Sequence, residues 1–242
     1  MERPYIFCHM QVSLDGKIMG KFMDLPESKG SGKLFYDLAF GEDAHYKHQG
    51  WISGRTTTDD NFTHYKVPVL DELAAEVPAG DFFVESEHDK YYISFDRSGK
   101  LGWEKNTITY GKTTATVLEV LTEKVSNSYK AFLRDLNIPY IICGDESIDL
   151  DMVLEKLSRD FNMDLVMLGG GGVINWSFIQ AGLCDEISFV VSPTADGSTE
   201  TASVFDAMAG LTNDDPVAFT VKAVEVREDN AVWMRYTVNN AR

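Results

Sequence analysis

The sequence predicts an α/β fold, and three observations carry that expectation. Short runs rich in β-branched and aromatic residues alternate with stretches whose apolar residues recur every three or four positions. The strand-like runs finish in turns containing glycine, hydroxyl or aspartate residues, the chemistry expected at the carboxyl edge of a mostly parallel sheet. Near the end of the chain, two β-rich runs flank Arg227-Glu228-Asp229-Asn230 and read as an antiparallel hairpin.

Each element has its own signal. Residues 5–12 form a β-rich run that stops at Ser13-Leu14-Asp15-Gly16-Lys17-Ile18, where Asp-Gly marks a turn and brings Asp15 and Lys17 into a loop. Residues 28–32 read as a surface loop, and 33–47 as a helix by their apolar and aromatic spacing. A short strand at 51–53 leads into Gly54-Arg55-Thr56-Thr57-Thr58-Asp59-Asp60. Strands follow at 91–95, ending in Asp96-Arg97-Ser98-Gly99, and at 116–121, ending in Thr122-Glu123-Lys124. A helix at 128–136, a strand at 140–144 and a helix at 150–161 come next, the last with apolar residues at 150, 153, 154, 157 and 161. After the glycine-rich segment and a further helix, Gly182 stands where a helix stop belongs, and 186–192 reads as a strand. Residues 194–201 read as a mobile loop, and 217–226 with 231–238 as the hairpin. No linker or repeat interrupts the chain, so residues 1–242 read as one domain.

Bulk properties narrow the function. A chain of 242 residues that is 44% hydrophobic can bury a substantial core. Its 38 acidic and 22 basic residues give a formal charge of −16, which disfavours nonspecific binding to nucleic acid or anionic membrane and requires any phosphate pocket to be locally basic. The apolar runs are too short to span a bilayer, and residues 1–4 lead directly into a strand, so the expectation is a cytoplasmic protein. Cys8, Cys143 and Cys184 are odd in number and embedded in apolar runs, as buried reduced thiols are. His45 and His48 have the i,i+3 spacing that a helix brings together, but no third ligand accompanies them, so no metal is expected.

The most specific local signal is Gly169-Gly170-Gly171-Gly172 between the apolar run 165–168 and an amphipathic stretch beginning Val173-Ile174. Strand, glycine turn and helix start let backbone N–H groups approach an anion closely, and a dinucleotide or nucleotide diphosphate is the expected guest.

Two motifs together, residues 13–18 and residues 170–187, resemble the reductase family of riboflavin biosynthesis, that is, the C-terminal domain of the bifunctional deaminase/reductase and its stand-alone relatives. The resemblance implies a dihydrofolate-reductase-like three-layer fold, with a central mostly parallel sheet, an antiparallel C-terminal hairpin and helices on both faces. It also implies an NADPH-dependent reductase, usually a homodimer, that turns the ribosyl group of a 5-amino-6-(phosphoribosylamino)pyrimidine into a ribityl chain by hydride transfer to C1. In that picture Gly169, Gly170, Gly171, Gly172, Val173 and Ile174 cover the cofactor diphosphate, and Gly54 and Thr57 line the cofactor. Arg97 with Ser98 matches the turn that meets the 2′-phosphate, a dianion suited to a guanidinium and a hydroxyl. Thr122 is its neighbour. Lys17 matches the family's pocket lysine, and Asp59 with Asp60 its paired aspartates, able to position ribose hydroxyls and to polarise or protonate the group that receives hydride. Helix N-capping is the competing reading for Asp59 and Asp60.

The chain departs from the family pattern on the substrate side. Gly169 stands where the family usually has a glutamate, and the family's phosphate-suited arginines are missing; Lys47, His48, His64 and Lys66 are the nearby replacements. A paralogue acting on another small carbonyl, imine or pterin-like substrate is therefore a competing expectation, with Phe35, Tyr36, Phe40, Trp51 and Trp176 as aromatics able to stack on a ring. A non-catalytic nucleotide-binding dimer is the third.

Overall fold

The computed structural model describes residues 3–242. In chain order the elements are β1 Tyr5–Val12, α1 Ser28–Phe40, β2 Gly50–Gly54, α2 Arg55–Thr58 running into a π turn at Asp59–Thr63, β3 Tyr91–Phe95, β4 Thr107–Tyr110, β5 Thr113–Leu121, α3 Asn127–Asp135, β6 Tyr140–Ile142, α4 Leu150–Phe161, β7 Leu165–Leu168, α5 Gly172–Gln180, β8 Glu186–Val191, β9 Phe219–Val226 and β10 Val232–Val238. No helix among the described residues is long and apolar enough to cross a membrane. The chain packs as two compact units. Gln49–Asp164 with the stretch before Tyr5 forms one, and Tyr5–His48 with Leu165–Arg242 forms the other.

In the first unit β2, β3 and β5 are parallel neighbours, with Ile52, Ile93 and Leu118 in register and completely buried. Strands covered on both faces need not alternate, which is why 91–95 and 116–121 read as nearly continuous apolar runs. β6 pairs in parallel with the end of β5, and β4 pairs antiparallel with its start. The Ser126 hydroxyl accepts from the Tyr129 N–H to cap α3, and the Asp149 carboxylate accepts from the Met152 N–H to cap α4.

In the second unit β1 lies between β7 and β8, parallel to both. β10 is antiparallel to β8, and β9 is antiparallel to β10, so the expected hairpin forms. A bulge at Lys222 resets the alternation of β9. Val221, Val224 and Val226 therefore face Tyr236, Met234 and Val232, alternate residues on one face of β10, and the three valines are 60%, 55% and 82% exposed.

The helix expected at 33–47 is displaced toward the N-terminus. α1 starts at Ser28, inside the stretch read as a loop, and stops at Phe40. Small residues at 28–32 serve close approach here: Gln11 donates to the Ser28 carbonyl and the Ser31 hydroxyl, and a Cβ on Gly30 would lie 2.3 Å from the Asp229 carboxylate. At the other end, the apolar signal of Tyr46 is satisfied from a non-helical segment, where its ring stacks on Phe7 at 4.0 Å and its hydroxyl donates to Glu186. His45 and His48 consequently share no helix. Of the stretch 54–60, read as a turn, residues 55–60 are helical and the helix continues to Thr63, so Asp59 and Asp60 lie within a helix rather than capping its start.

Each unit buries a titratable group whose protonation opposes that of the other. In the second unit, Trp233 Nε1 donates to Ser188 Oγ at 2.9 Å, Ser188 Oγ lies 2.9 Å from His9 Nδ1, and His9 Nε2 lies 3.0 Å from the Phe35 carbonyl. This order is satisfied by a neutral imidazole carrying its proton on Nε2. Burial lowers the His9 pKa to about 4. In the first unit Glu119 is fully buried; Oε1 accepts from Trp103 Nε1 at 2.6 Å, while Oε2 has no partner among the described residues. Burial first, and nearby Asp96 second, push its pKa well above the carboxylate range.

The two groups give stability slopes of opposite sign. A histidine whose folded pKa is lowered stabilises above its unfolded value and loses that contribution as pH falls from 6.5 to about 4. The loss from His9 is on the order of 3 kcal/mol. A carboxyl whose folded pKa is raised contributes fully below its unfolded value and loses its contribution as pH rises. Thermal melts across pH should therefore show acid destabilisation that is blunted in His9→Gln. Glu119→Gln should melt higher than the native chain at neutral pH. An unchanged acid slope in His9→Gln, or a lower neutral melting point for Glu119→Gln, would contradict these assignments.

Candidate functional site

The second unit places Lys17 and the glycine loop at the carboxyl ends of β1 and β7. After β1, the Ser13 hydroxyl donates to Asp15 at 2.6 Å, and Gly16 takes a left-handed φ of 77° to close the turn. Asp15 also accepts from the N–H groups of Asp196 and Gly197, so this turn holds the loop that follows β8; the Ser13 hydroxyl and then these amides keep the carboxyl far below its ordinary pKa. Lys17 Nζ donates to the Thr201 carbonyl at 3.0 Å and to Ser203 Oγ at 3.3 Å. An ammonium has three donors, and two of them are met here among the described residues.

Gly170 has φ 95°, a conformation that favours glycine, and Gly171 begins α5 without any side-chain cap. The first-turn N–H groups of Gly172, Val173 and Ile174 therefore have no acceptor within the helix, and the helix dipole favours an anion there. At Gly172 the close approach is by the protein itself. A Cβ there would lie 2.3 Å from the Ser203 carbonyl and 2.5 Å from Asp206 Oδ2. Asp206 Oδ2 accepts from the Ser203 N–H, and the Gly172 carbonyl accepts from the Asp206 N–H. Ser203 thus touches both Lys17 and Gly172, and Asn175, fully buried one turn into α5, donates to the Val204 carbonyl at 3.0 Å. The segment 201–206 lay beyond the motifs that sequence alone singled out.

The first unit gathers its candidates at the carboxyl ends of β2, β3 and β5. Gly54 is the N-cap of α2, and the Thr58 hydroxyl, buried, lies within hydrogen-bond distance of the Gly54 carbonyl, Tyr92 OH and Ser94 Oγ. Thr57 is half-buried, its carbonyl accepting from the Asn61 side chain. Asp59 is buried and fully engaged inside its own helix, accepting from Arg55 at 3.3 Å and from Thr63 at 2.6 Å. Asp60 is exposed and bonded to the Tyr65 hydroxyl. The two aspartates therefore differ: one braces the turn and one faces solvent.

Arg97 and Ser98 are exposed on the turn after β3. Thr122 is completely buried and its hydroxyl donates to the Arg97 carbonyl at 2.7 Å, so its hydroxyl shapes that turn instead of reaching a ligand. Among the replacements for the missing arginines, His48 is buried and bonded to the Ala39 carbonyl, and Lys66 pairs with Glu104 at 2.6 Å. Phe40, Trp51 and Trp176 are core residues. A cavity of about 230 Å³ lies in the first unit beside Thr63, Trp103 and Ile108, and none of the candidate residues lines it.

Each donor set, taken within its own unit, has the chemistry to hold an anion. Uncapped amides with a left-handed glycine suit a diphosphate, and an exposed guanidinium beside a hydroxyl suits a phosphate monoester. Two substitutions test the glycine loop. Gly170→Val forces a β-branched residue into a left-handed φ, where a Cβ would also meet Met10 at 3.0 Å, and should weaken ADP binding in calorimetry. Asp206→Asn removes a carboxylate from the start of α5 and should tighten ADP binding severalfold. Unchanged ADP affinity in both folded variants would place the diphosphate elsewhere.

Comparison with known proteins bears on these residues. A family model described as the RibD C-terminal domain matches residues 4–232. Over 83 residues the chain is 30% identical to the 2,5-diamino-6-ribosylamino-4(3H)-pyrimidinone 5′-phosphate reductase of Aquifex aeolicus, covering 34% of this chain and 37% of that protein. It is 29% identical over 66 residues to the Methanothermobacter thermautotrophicus protein of the same name, covering 27% and 30%. The matched part thus spans about a third of each of these relatives. Among solved structures, a pyrimidine reductase-like protein from Corynebacterium diphtheriae superposes with a TM-score of 0.64 at 12% identity, covering 97% of this chain and 92% of that one. Acinetobacter baumannii RibD superposes with a TM-score of 0.63 at 19% identity, covering 98% and 58%.

Proposed function

Because the chain belongs to the RibD C-terminal domain family, we propose that it is an NADPH-dependent reductase of a phosphoribosylaminopyrimidine, reducing the ribosyl group at C1. The observation that carries this reading is the meeting at Ser203, where the Lys17 ammonium and the start of a glycine-led helix without a side-chain cap approach the same residue. The names of the pyrimidinone phosphate reductases support the reaction class and the substrate class.

NADPH, when bound, supplies the hydride. The chain's own groups bind and orient. Gly169 to Ile174 hold the diphosphate through backbone N–H groups, Arg97 and Ser98 hold the 2′-phosphate, and Gly54 and Thr57 line the cofactor. Lys17 directs its remaining N–H at the substrate oxygen or nitrogen that gains negative charge as C1 is reduced, stabilising that charge and supplying a proton. Asp60, exposed and held by Tyr65, orients sugar hydroxyls, while Asp59 keeps the helix beneath it in place.

A second reading is favoured by Gly169. The carboxylate that the resemblance leads one to expect before the glycines is replaced by a hydrogen atom, which suits a paralogue reducing a different small carbonyl, imine or pterin-like compound. Following NADPH absorbance with the phosphoribosylaminopyrimidine and then with a carbonyl and pterin panel separates the two. Turnover of the pyrimidine supports the first reading and turnover of a panel member alone supports the second. Cofactor binding without turnover of any compound would make the chain a nucleotide-binding module. Lys17→Ala should lower kcat about a hundredfold while changing NADPH affinity little, within the range for a lost proton donor. Equal losses in both would contradict the role given to Lys17.

The homodimer belongs to the same proposal. Support comes from the row Val221, Val224 and Val226, an uncharged apolar face on an otherwise strongly acidic chain. Sedimentation should give twice the monomer mass for the native chain and the monomer mass for Val224→Asp. A monomeric native chain would refute it.

A further inference from the structure

We infer that Asp96 and Thr122 are positioning residues that set discrimination between 2′-phosphorylated and unphosphorylated nucleotides, acting through the turn that presents Arg97 and Ser98. The inference rests on the proposed cofactor reading of that turn.

Asp96 is a completely buried carboxylate on the residue that follows β3. It is satisfied by the turn itself. Its Oδ2 accepts from the N–H groups of Lys100 and of Leu101, the latter at 2.8 Å, and from Tyr129 OH at 3.4 Å. Its Oδ1 lies 3.4 Å from the Ser98 N–H. Its backbone is fixed as well, with the Asp96 N–H donating to the Val120 carbonyl at 3.1 Å and its own carbonyl accepting from Gly99 at 3.2 Å. One buried anion thus collects amides from three of the next five residues.

From the other side, the Thr122 hydroxyl donates to the Arg97 carbonyl. Gly99 lets the turn close, with φ 63° and no room for a Cβ, which would lie 2.7 Å from the Tyr129 ring. The result is a turn whose backbone is braced at Arg97, Ser98, Lys100 and Leu101, while the side chains of Arg97, Ser98 and Lys100 point to solvent as exposed residues. A hydrogen-bonded carboxylate buried among amides fixes geometry, because leaving those donors unmet costs the full desolvation penalty. Neither Asp96 nor Thr122 can itself approach a phosphate: one is an anion and both are buried. Their influence on a bound phosphate must pass through the placement of Arg97 and Ser98.

The test is calorimetric binding of 2′,5′-ADP and of 5′-AMP to the native chain, Asp96→Asn, Thr122→Val, Thr122→Ser and Arg97→Ala. Asp96→Asn keeps the shape and removes the charge that collects the amides; Thr122→Val keeps the shape and removes the hydroxyl. Each should reduce the preference for 2′,5′-ADP about tenfold, the scale of one or two lost hydrogen bonds, with 5′-AMP binding little changed. Thr122→Ser should retain the preference. A native preference unaffected by either variant would overturn the inference, as would equal weakening for both nucleotides. Should Asp96→Asn fail to fold, Thr122→Val with its serine rescue decides. Arg97→Ala separates the two levels of the argument: a preference that survives it, or no preference in the native chain, would remove the cofactor reading of the turn and the inference with it.

Discussion

The constraint on which the rest depends is that parallel strands deliver their connecting turns to one edge, where backbone groups lose their ladder partners and must find others. In both units buried side chains meet that need. Asp96 and Thr122 brace the turn after β3, the Thr58 hydroxyl donates to the Gly54 carbonyl at the start of α2, and the Ser13 hydroxyl accepts from the Lys17 N–H in the turn after β1. Candidate ligand-binding groups stand on these braced turns. Their placement therefore depends on residues that would never touch a ligand.

Other buried polar groups carry the electrostatic character of each unit. His9 is held neutral between Ser188 and the Phe35 carbonyl, and Glu119 is held protonated beside Trp103. For His9, burial outweighs the pull of the Glu186 carboxylate toward the charged form, and for Glu119 the nearby charge of Asp96 adds to the effect of burial. His9 is bonded at both ring nitrogens and Glu119 at one oxygen only, and the cost of burying them appears as sensitivity to pH in opposite directions.

Where local chemistry and tertiary environment agree, the fold was legible in the amino-acid order. β1, β3, α4 and β7 fall on the residues that periodicity marks, because an apolar run bounded by turn residues has one sensible placement. The helix at α1 was not legible, since Ser28, Gly30, Ser31 and Gly32 favour loops locally and become helical through contacts with Gln11 and Asp229, remote in sequence. The candidate site divides in the same way. The glycine run stands out by residue type, and Lys17 and Arg97 are candidates only through the family resemblance, whereas Ser203, Asp206 and Asn175 lie in segments whose contacts emerge only once β1, α5 and the loop after β8 are brought together. Thr122 is a candidate by the resemblance alone, and its hydroxyl is turned inward to the Arg97 carbonyl.

Charge accounts for how an acidic chain can still present anion sites. With 38 acidic residues against 22 basic ones, long-range potential works against any phosphate, so attraction must come from groups within a few ångströms. The glycine loop offers amides and a helix dipole, which add no charge, and the turn after β3 offers a guanidinium. Asp206 complicates the first of these. Its carboxylate already lies beside Gly172, at the end of the loop opposite to Gly169, where the riboflavin reductases commonly carry their acid. An acidic group is thus present near the glycines, but it arrives from the segment after β8 and at the helix end of the loop. A ligand seated on these amides would meet it from the helix side, and Ser203 stands between the two charged groups, its hydroxyl accepting from Lys17 and its N–H donating to Asp206.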